Sequence, residues 1–215
     1  MLANLFMHYA FDAWMARNFP GCPFERYADD AIVHCKTRRQ AEHVLDRIDR
    51  RMSEVGLTLH PEKTRILYCK DGRRREKHEH TAFTFLGYGF RGRGARSRNG
   101  RIFNGFLPAI SPEALKAKGV ELRRMRIHRR TDLSLDDLAR WLNPIVVGWI
   151  NYYGRLYRTA LDPLLKRINV YLRRWAGRKY KRLRTHKRFS KWWTGLLARQ
   201  RDLFAHWRLA RSYQG

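Results

Sequence analysis

The chain has 215 residues, of which 44% are hydrophobic, and 46 Lys and Arg stand against 19 Asp and Glu for a net charge of +27. That length and apolar share suffice for one large or two small packed domains, which excludes a disordered tail. The charge calls for a polyanionic partner: nucleic acid, an anionic membrane surface or another polyanion.

Leu2, Leu5, Phe6, Tyr9 and Ala13 recur at helical spacing, so the chain opens in or at the start of an amphipathic helix. Asn4, His8 and Asp12 interrupt the stretch Met1–Met15, which lacks a basic leader and is too short to span a bilayer. Neither export nor membrane insertion is expected, and the location reads as cytoplasmic. Next, Phe24–Tyr27 and Ala31–His34 read as the arms of a β-hairpin whose turn carries Tyr27-Ala28-Asp29-Asp30. Adjacent carboxylates repel, and a pair at a fixed turn suits a hard, oxygen-seeking divalent cation such as Mg²⁺. Asp is also among the commonest turn residues, so the pair alone does not demand a ligand.

Thr37-Arg38-Arg39-Gln40 forms a capping box, and Ala41, Val44, Leu45, Ile48, Met52 and Val55 trace one apolar helical face that Gly56 terminates. Leu57–Leu59 and Arg65–Cys69 read as strands, Asp71–His80 as a charged loop, and Thr84–Phe90 as a further strand. Glycines and dense charge predict a mobile loop over Arg91–Arg101. After Phe106–Ile110 the pattern turns helical. Ser111-Pro112 starts a helix that carries Arg123, Arg124, Arg126, Arg129 and Arg130 toward its end. Ser134-Leu135-Asp136-Asp137 opens another with Leu138, Trp141, Leu142, Ile145, Val146, Trp149 and Ile150 on its stripe, and Asn143-Pro144 predicts a kink or a break in it. Asp162-Pro163 caps a third, with Leu165, Ile168, Leu172 and Trp175 giving way to the basic run Arg178–Arg188; Trp192–Tyr213 reads as a last aromatic helix or tail. The fold class is therefore α+β: a mixed part over residues 1–105 and an all-α basic part over 106–215, with the boundary near 105–111.

Charge is uneven along the chain and concentrates in its C-terminal two thirds. Residues 1–80 hold 15 Lys/Arg against 12 Asp/Glu, and residues 81–215 hold 31 against 7. Seven Trp and ten Tyr scattered among the cations favour nucleic acid over other polyanions, since aromatic rings stack on unpaired bases. Most of the Trp read as core all the same. Cys22, Cys35 and Cys69 are odd in number and widely spaced, which supports neither a disulfide framework nor a zinc site. No zinc-finger spacing or basic-zipper heptad supports a general DNA-binding protein.

Three segments in order, Tyr27-Ala28-Asp29-Asp30, Gly56-Leu57-Thr58-Leu59-His60-Pro61-Glu62-Lys63-Thr64 and Phe83-Thr84-Phe85-Leu86-Gly87-Tyr88, resemble the palm of reverse transcriptases encoded by group II introns. Further on, Leu142–Tyr157, with Gly148-Trp149-Ile150-Asn151-Tyr152-Tyr153-Gly154, and Trp175–Tyr180 resemble the maturase-specific helical domain of the same family. The resemblance implies a partial palm, the hairpin plus helices, followed by a basic helical thumb/maturase domain. It implies that Asp29 and Asp30 bind catalytic Mg²⁺, that Lys63 protonates pyrophosphate, and that Leu86, Gly87 and Tyr88 position a primer end.

The family holds its metals with another aspartate in a strand upstream, beside the fingers, and no residue here matches it; Asp12 falls in a predicted helix. The expectation is a chain that does not polymerise DNA alone, with activity returning if an N-terminal complement assembled with it. Arg123, Arg124, Arg126, Arg178, Lys179, Lys181, Arg182, Arg184, Lys187 and Arg188 are the candidates for gripping intron RNA and assisting splicing and mobility, with a DNA primer or target as a further partner. The alternative is a non-catalytic splicing cofactor that keeps Asp29 and Asp30 as inheritance.

Overall fold

The computed structural model describes residues 2–72, 76–97 and 99–210. Chain contacts divide it into two compact units, Met1–Tyr68 with Glu76–Thr81, and Cys69–Arg75 with Ala82–Gly215.

In the first unit, α1 (Leu2–Met7) and α2 (Ala13–Asn18) are joined through one wide π turn, His8–Asp12. That turn adds a residue per revolution and rotates the apolar face. Ala10, Phe11 and Met15 are buried, whereas Leu2, Leu5, Phe6 and Tyr9 of the expected stripe are exposed. β1 (Phe24–Tyr27) and β2 (Asp30–Val33) pair antiparallel, from Phe24 opposite Val33 to Tyr27 opposite Asp30. α3 (Arg38–Glu54) begins at Thr37, whose side chain accepts from the Gln40 amide at 3.1 Å. The Gln40 side chain reaches back to the Lys36 amide at 2.7 Å, one residue earlier than a standard box. Val44, Ile48 and Met52 of the predicted face close the core with Phe11, Met15 and Cys22.

Leu57–Leu59 and Arg65–Cys69 are not strands. A strand must satisfy its backbone through a ladder partner, and here single bonds stand in place of a ladder: Leu57 N donates to Met52 O at 2.8 Å and Tyr68 N to His80 O at 2.9 Å. Of the expected loop Asp71–His80, residues 73–75 lie outside the described residues.

The second unit opens with a three-stranded antiparallel sheet, β3 (Ala82–Phe85), β4 (Tyr88–Arg96) and β5 (Ile102–Ile110). The single strand expected over Thr84–Phe90 is a hairpin, because Leu86 and Gly87 both take left-handed backbone, at φ 50° and 76°, the requirement of a two-residue turn. The expected mobile loop is largely strand as well. Nine register pairs join β4 to β5, from Tyr88 opposite Ile110 to Arg96 opposite Ile102. The glycine at position 92 serves that sheet by close approach, since a Cβ there would stand 3.1 Å from Lys70 O. Among the described residues a turn is left at Asn99 and Gly100, where the Gly100 amide donates to Ser97 O at 2.9 Å; Arg98 lies outside the described residues.

These strands explain why the compact units part earlier than the composition change near 105–111: the sheet's hydrogen bonds tie residues 82–96 to the chain that follows them. α4 (Pro112–Arg124) is capped by the Ser111 hydroxyl, which accepts from the Ala114 amide at 3.1 Å. It ends before Arg126, which sits at φ 49° and starts a 3₁₀ turn, Ile127–Arg129, so the expected basic helix end is a helix plus a turn. α5 (Leu135–Tyr153) carries the full capping box of Ser134 and Asp137 and runs through Pro144 unbroken. Beside that proline the Asn143 amide is held on both sides, donating to Leu203 O at 2.8 Å and accepting from Ala205 N at 2.9 Å.

α6 (Asp162–Lys179) follows the 3₁₀ turn Arg158–Leu161 directly, so Asp162 is its first helical residue and makes no side-chain cap bond. The last expected helix divides into α7 (His186–Arg199) and the short α8 (Trp207–Ala210); residues 211–213 of that expectation lie outside the described ones. One core joins Ile110, Leu122, Ile127 and the inner faces of α5 and α6 to Phe189, Phe204 and Trp207. Trp149, Trp175 and Trp207 are buried in it, as core rather than stacking surface.

Candidate metal turn and nucleic-acid interface

The acidic turn is placed by a clamp that no local pattern reveals. Arg26, one residue inside β1, donates from Nε and Nη2 to the two Asp12 oxygens, each at 2.7 Å, and from Nη1 to Ala28 O at 2.6 Å. The guanidinium therefore ties the π turn, β1 and the first turn residue together. Its hydrogen bonds hold the Asp12 carboxyl below the usual carboxylate range against the opposing pull of burial. Both Asp12 oxygens accept from this guanidinium, and Oδ2 also lies 3.4 Å from His8 Nδ1. Ala28 takes φ 54°, a conformation that costs an L-residue energy and that the clamp on its carbonyl helps to hold. Asp29 and Asp30 both stand exposed beyond it, Asp29 in the turn and Asp30 at the start of β2.

The donor chemistry of this pair fits a hard cation, but the donor number does not complete a site. Among the described residues no group of three His, Cys, Asp or Glu side chains converges. Lys63 is exposed in the turn 61–63 of the same unit. At the base of the hairpin, Cys22 is buried and donated to by the Gln40 amide at 3.2 Å; burial first, then Cys22, pushes the Cys35 thiol up to about 11.

In the second unit the structure brings two motifs from distant parts of the chain together. The β3–β4 turn, Leu86-Gly87, lies on the C-terminal end of α5. Tyr152 Oη donates to Leu86 O at 2.9 Å, and Tyr88 Oη donates back to Tyr152 O. The Tyr153 ring packs beside Tyr88, with 5.6 Å between centroids, and a Cβ on Gly87 would stand 3.1 Å from Tyr153 Oη. Burial first, and the two neighbouring phenols second, push the Tyr88 hydroxyl above its ordinary pKa. Sequence reading named Leu86, Gly87 and Tyr88 and, separately, Asn151-Tyr152-Tyr153-Gly154; their reciprocal bonding across more than sixty residues has no local signal.

The predicted RNA-binding cations fall into two groups. Arg123, Arg124, Arg126, Arg178, Lys181, Arg182, Arg184, Lys187 and Arg188 are exposed. Lys179 is half-buried, and its Nζ donates to Thr131 O at 2.9 Å and Leu133 O at 2.6 Å while lying over the Trp175 ring. It fastens the loop before α5 to the end of α6. None of the exposed nine is ion-paired to a carboxylate among the described residues, so their charge faces solvent. No helix described is long and apolar enough to cross a membrane.

Comparison with known families gives two matches in chain order. Residues 1–90 match the family described as reverse transcriptase (RNA-dependent DNA polymerase), and residues 116–193 match the group II intron, maturase-specific domain. The reverse transcriptase match takes in the acidic turn, Lys63 and the Leu86-Gly87-Tyr88 turn. The maturase match takes in α5, α6 and the exposed cations from Arg123 to Arg188. No curated protein matches the chain. Members of the reverse transcriptase family use a divalent metal, and the two domains together imply binding of intron RNA.

Proposed function

We propose that this chain, which belongs to the group II intron reverse transcriptases/maturases by its two matched domains, grips intron RNA through the exposed cations of its maturase domain and thereby assists splicing and mobility. The observation that carries the reading is the row of exposed Lys and Arg on α4, α6 and the segments after it, left without carboxylate partners and inside the maturase match. Each cation that neutralises a phosphate releases a counterion, so the logarithm of the binding constant falls linearly with the logarithm of salt, by a slope of about 0.7 per phosphate on single strands and 0.9 on duplex DNA. The test is competition at fixed salt between a group II intron RNA and a random duplex. Preference for the intron is expected; equal affinity overturns the reading.

Asp29 and Asp30 are proposed as oxygen ligands for Mg²⁺, with Lys63 as a proton donor to pyrophosphate and Leu86, Gly87 and Tyr88 as the rest for a DNA primer end. Two carboxylates are fewer than a closed site needs, so the remaining ligand comes from a polypeptide segment outside these residues, an N-terminal complement, in a cytoplasmic assembly. The residues 1–105 and 106–215 would then form the palm and the thumb/maturase parts. The 215 residues alone are expected not to extend a primer on an RNA template. Adding the complement should restore extension in the wild-type chain and not in Asp29→Ala; extension by the chain alone refutes this part.

A further inference from the structure

Where α4 ends, the chain turns sharply at Arg126 and lays the His128 ring against Tyr171 of α6, with 5.7 Å between centroids and 19° between planes. His128 Nδ1 is buried and has no hydrogen-bond partner. Around this ring stand four arginines from two elements. Arg126 and Arg129 flank it in sequence, and Arg174 and Arg178 lie one helical turn apart on α6, Arg174 with its guanidinium 5.8 Å from the Tyr171 ring centroid. All four act electrostatically on the imidazole; together with burial, the larger cause, they hold its pKa below the ordinary value. None of the four has an ion pair among the described residues, and all four are exposed.

Like charges gathered about a half-buried imidazole, with no anion to balance them, repel one another. Arg126 takes left-handed φ of 49° directly after the end of α4, the ordinary way of stopping a helix, and so turns the chain toward α6. Guanidinium groups are suited to phosphate oxygens, which they meet with paired donors.

We propose that Arg126, Arg129, Arg174 and Arg178, gathered about His128, form a subsite for a phosphodiester group of an RNA backbone. The inference rests on the reading that this domain grips RNA, and it adds Arg129, Arg174 and His128 to the candidates for RNA contact. The subsite sits on the junction of the α4 turn with α6, so one bound phosphate bridges two elements that the core already joins. Tyr171 serves as the floor that keeps the His128 ring and the Arg174 guanidinium in place.

The test compares two variants that remove equal charge: Arg126→Gln/Arg129→Gln/Arg174→Gln/Arg178→Gln, and Lys181→Gln/Arg182→Gln/Lys187→Gln/Arg188→Gln, each first shown to keep the helical circular dichroism of the parent. The first should weaken intron-RNA binding roughly tenfold more than the second and lower the salt slope by about one. Equal losses overturn the subsite while leaving general RNA gripping intact; a parent chain that binds no RNA overturns both. In the unaltered protein, the His128 ring resonances should move with a short single-stranded oligoribonucleotide, and their titration should shift upward as the phosphate offsets the guanidinium charge. A methylphosphonate analogue of that oligonucleotide should leave them unmoved. Ring shifts with inorganic phosphate but none with the oligoribonucleotide, or equal shifts with the charged and uncharged strands, refute the assignment.

Discussion

Replacing Asp12 by Asn tests whether one half-buried ion pair holds the acidic turn. The substitution keeps the shape of the side chain and removes the charge that receives two guanidinium bonds of 2.7 Å. A hydrogen bond to a charged group contributes about 1.5–3 kcal/mol. The pair is only partly withdrawn from water, with Arg26 11% and Asp12 21% exposed, so solvent screening discounts a simple doubling. A net loss of about 2 kcal/mol is expected, equivalent to roughly thirtyfold in the opening equilibrium of the hairpin. Hydrogen exchange of a peptide covering residues 23–34, read by mass spectrometry, measures that opening directly.

The sign of the pH effect follows from the direction of the shift. Arg26 lowers the folded-state pKa of Asp12, so the stabilisation is complete above the unfolded value of about 3.9 and is lost as pH falls through the lower folded value. Corrected protection of the hairpin should hold from neutral pH down to about 4 and decline below it, and Asp12→Asn should abolish that decline. Unchanged exchange in Asp12→Asn at neutral pH would show that the β1–β2 ladder holds the turn by itself, and the clamp argument would fail.

Three other outcomes are expected. Gly87→Ala should lower stability to urea by about 2 kcal/mol, since alanine pays for left-handed backbone at φ 76° and its Cβ presses on Tyr153 Oη; an unchanged midpoint would contradict the packing of that turn on α5. Lys179→Ala should cost about 1–1.5 kcal/mol by removing its bonds to the Thr131 and Leu133 carbonyls, the first of which water can take over, yet leave the salt slope of RNA binding as it was; a reduced slope would return Lys179 to the RNA-facing set. The Cys35 thiol, pushed up to about 11, should react slowly with iodoacetamide at pH 8 and accelerate only as the pH approaches that value, and rapid labelling of the folded chain at pH 8 would refute its burial against Cys22.

Local order was legible in the sequence because it is decided within a few residues. The caps at Thr37, Ser111 and Ser134 bond amides three positions on, and the stripe of α3 follows from a period that needs no partner to be counted. The hairpin about Asp29 and Asp30, the helical character beyond residue 111 and the basic surface of that half came from the same near-range signals, as did the two motif sets that matched their families.

What the tertiary structure decided was which of those signals had a partner. Apolar runs at Leu57–Leu59 and Arg65–Cys69 found no ladder, while the glycine-rich run Arg91–Arg96 found one in β5, because a strand is completed by another segment and not by its own composition. Likewise, Lys179 and Arg178 are neighbours of one charge type, and only the carbonyls that approach from the loop before α5 make the first a structural fastener and leave the second to solvent. Sequence alone determined the inventory of charges, caps and motifs. Pairings such as Asp12 with Arg26, Leu86 with Tyr152 and His128 with Tyr171 depend on chain segments 14, 66 and 43 positions apart meeting in space, and a one-dimensional pattern carries no term for that approach.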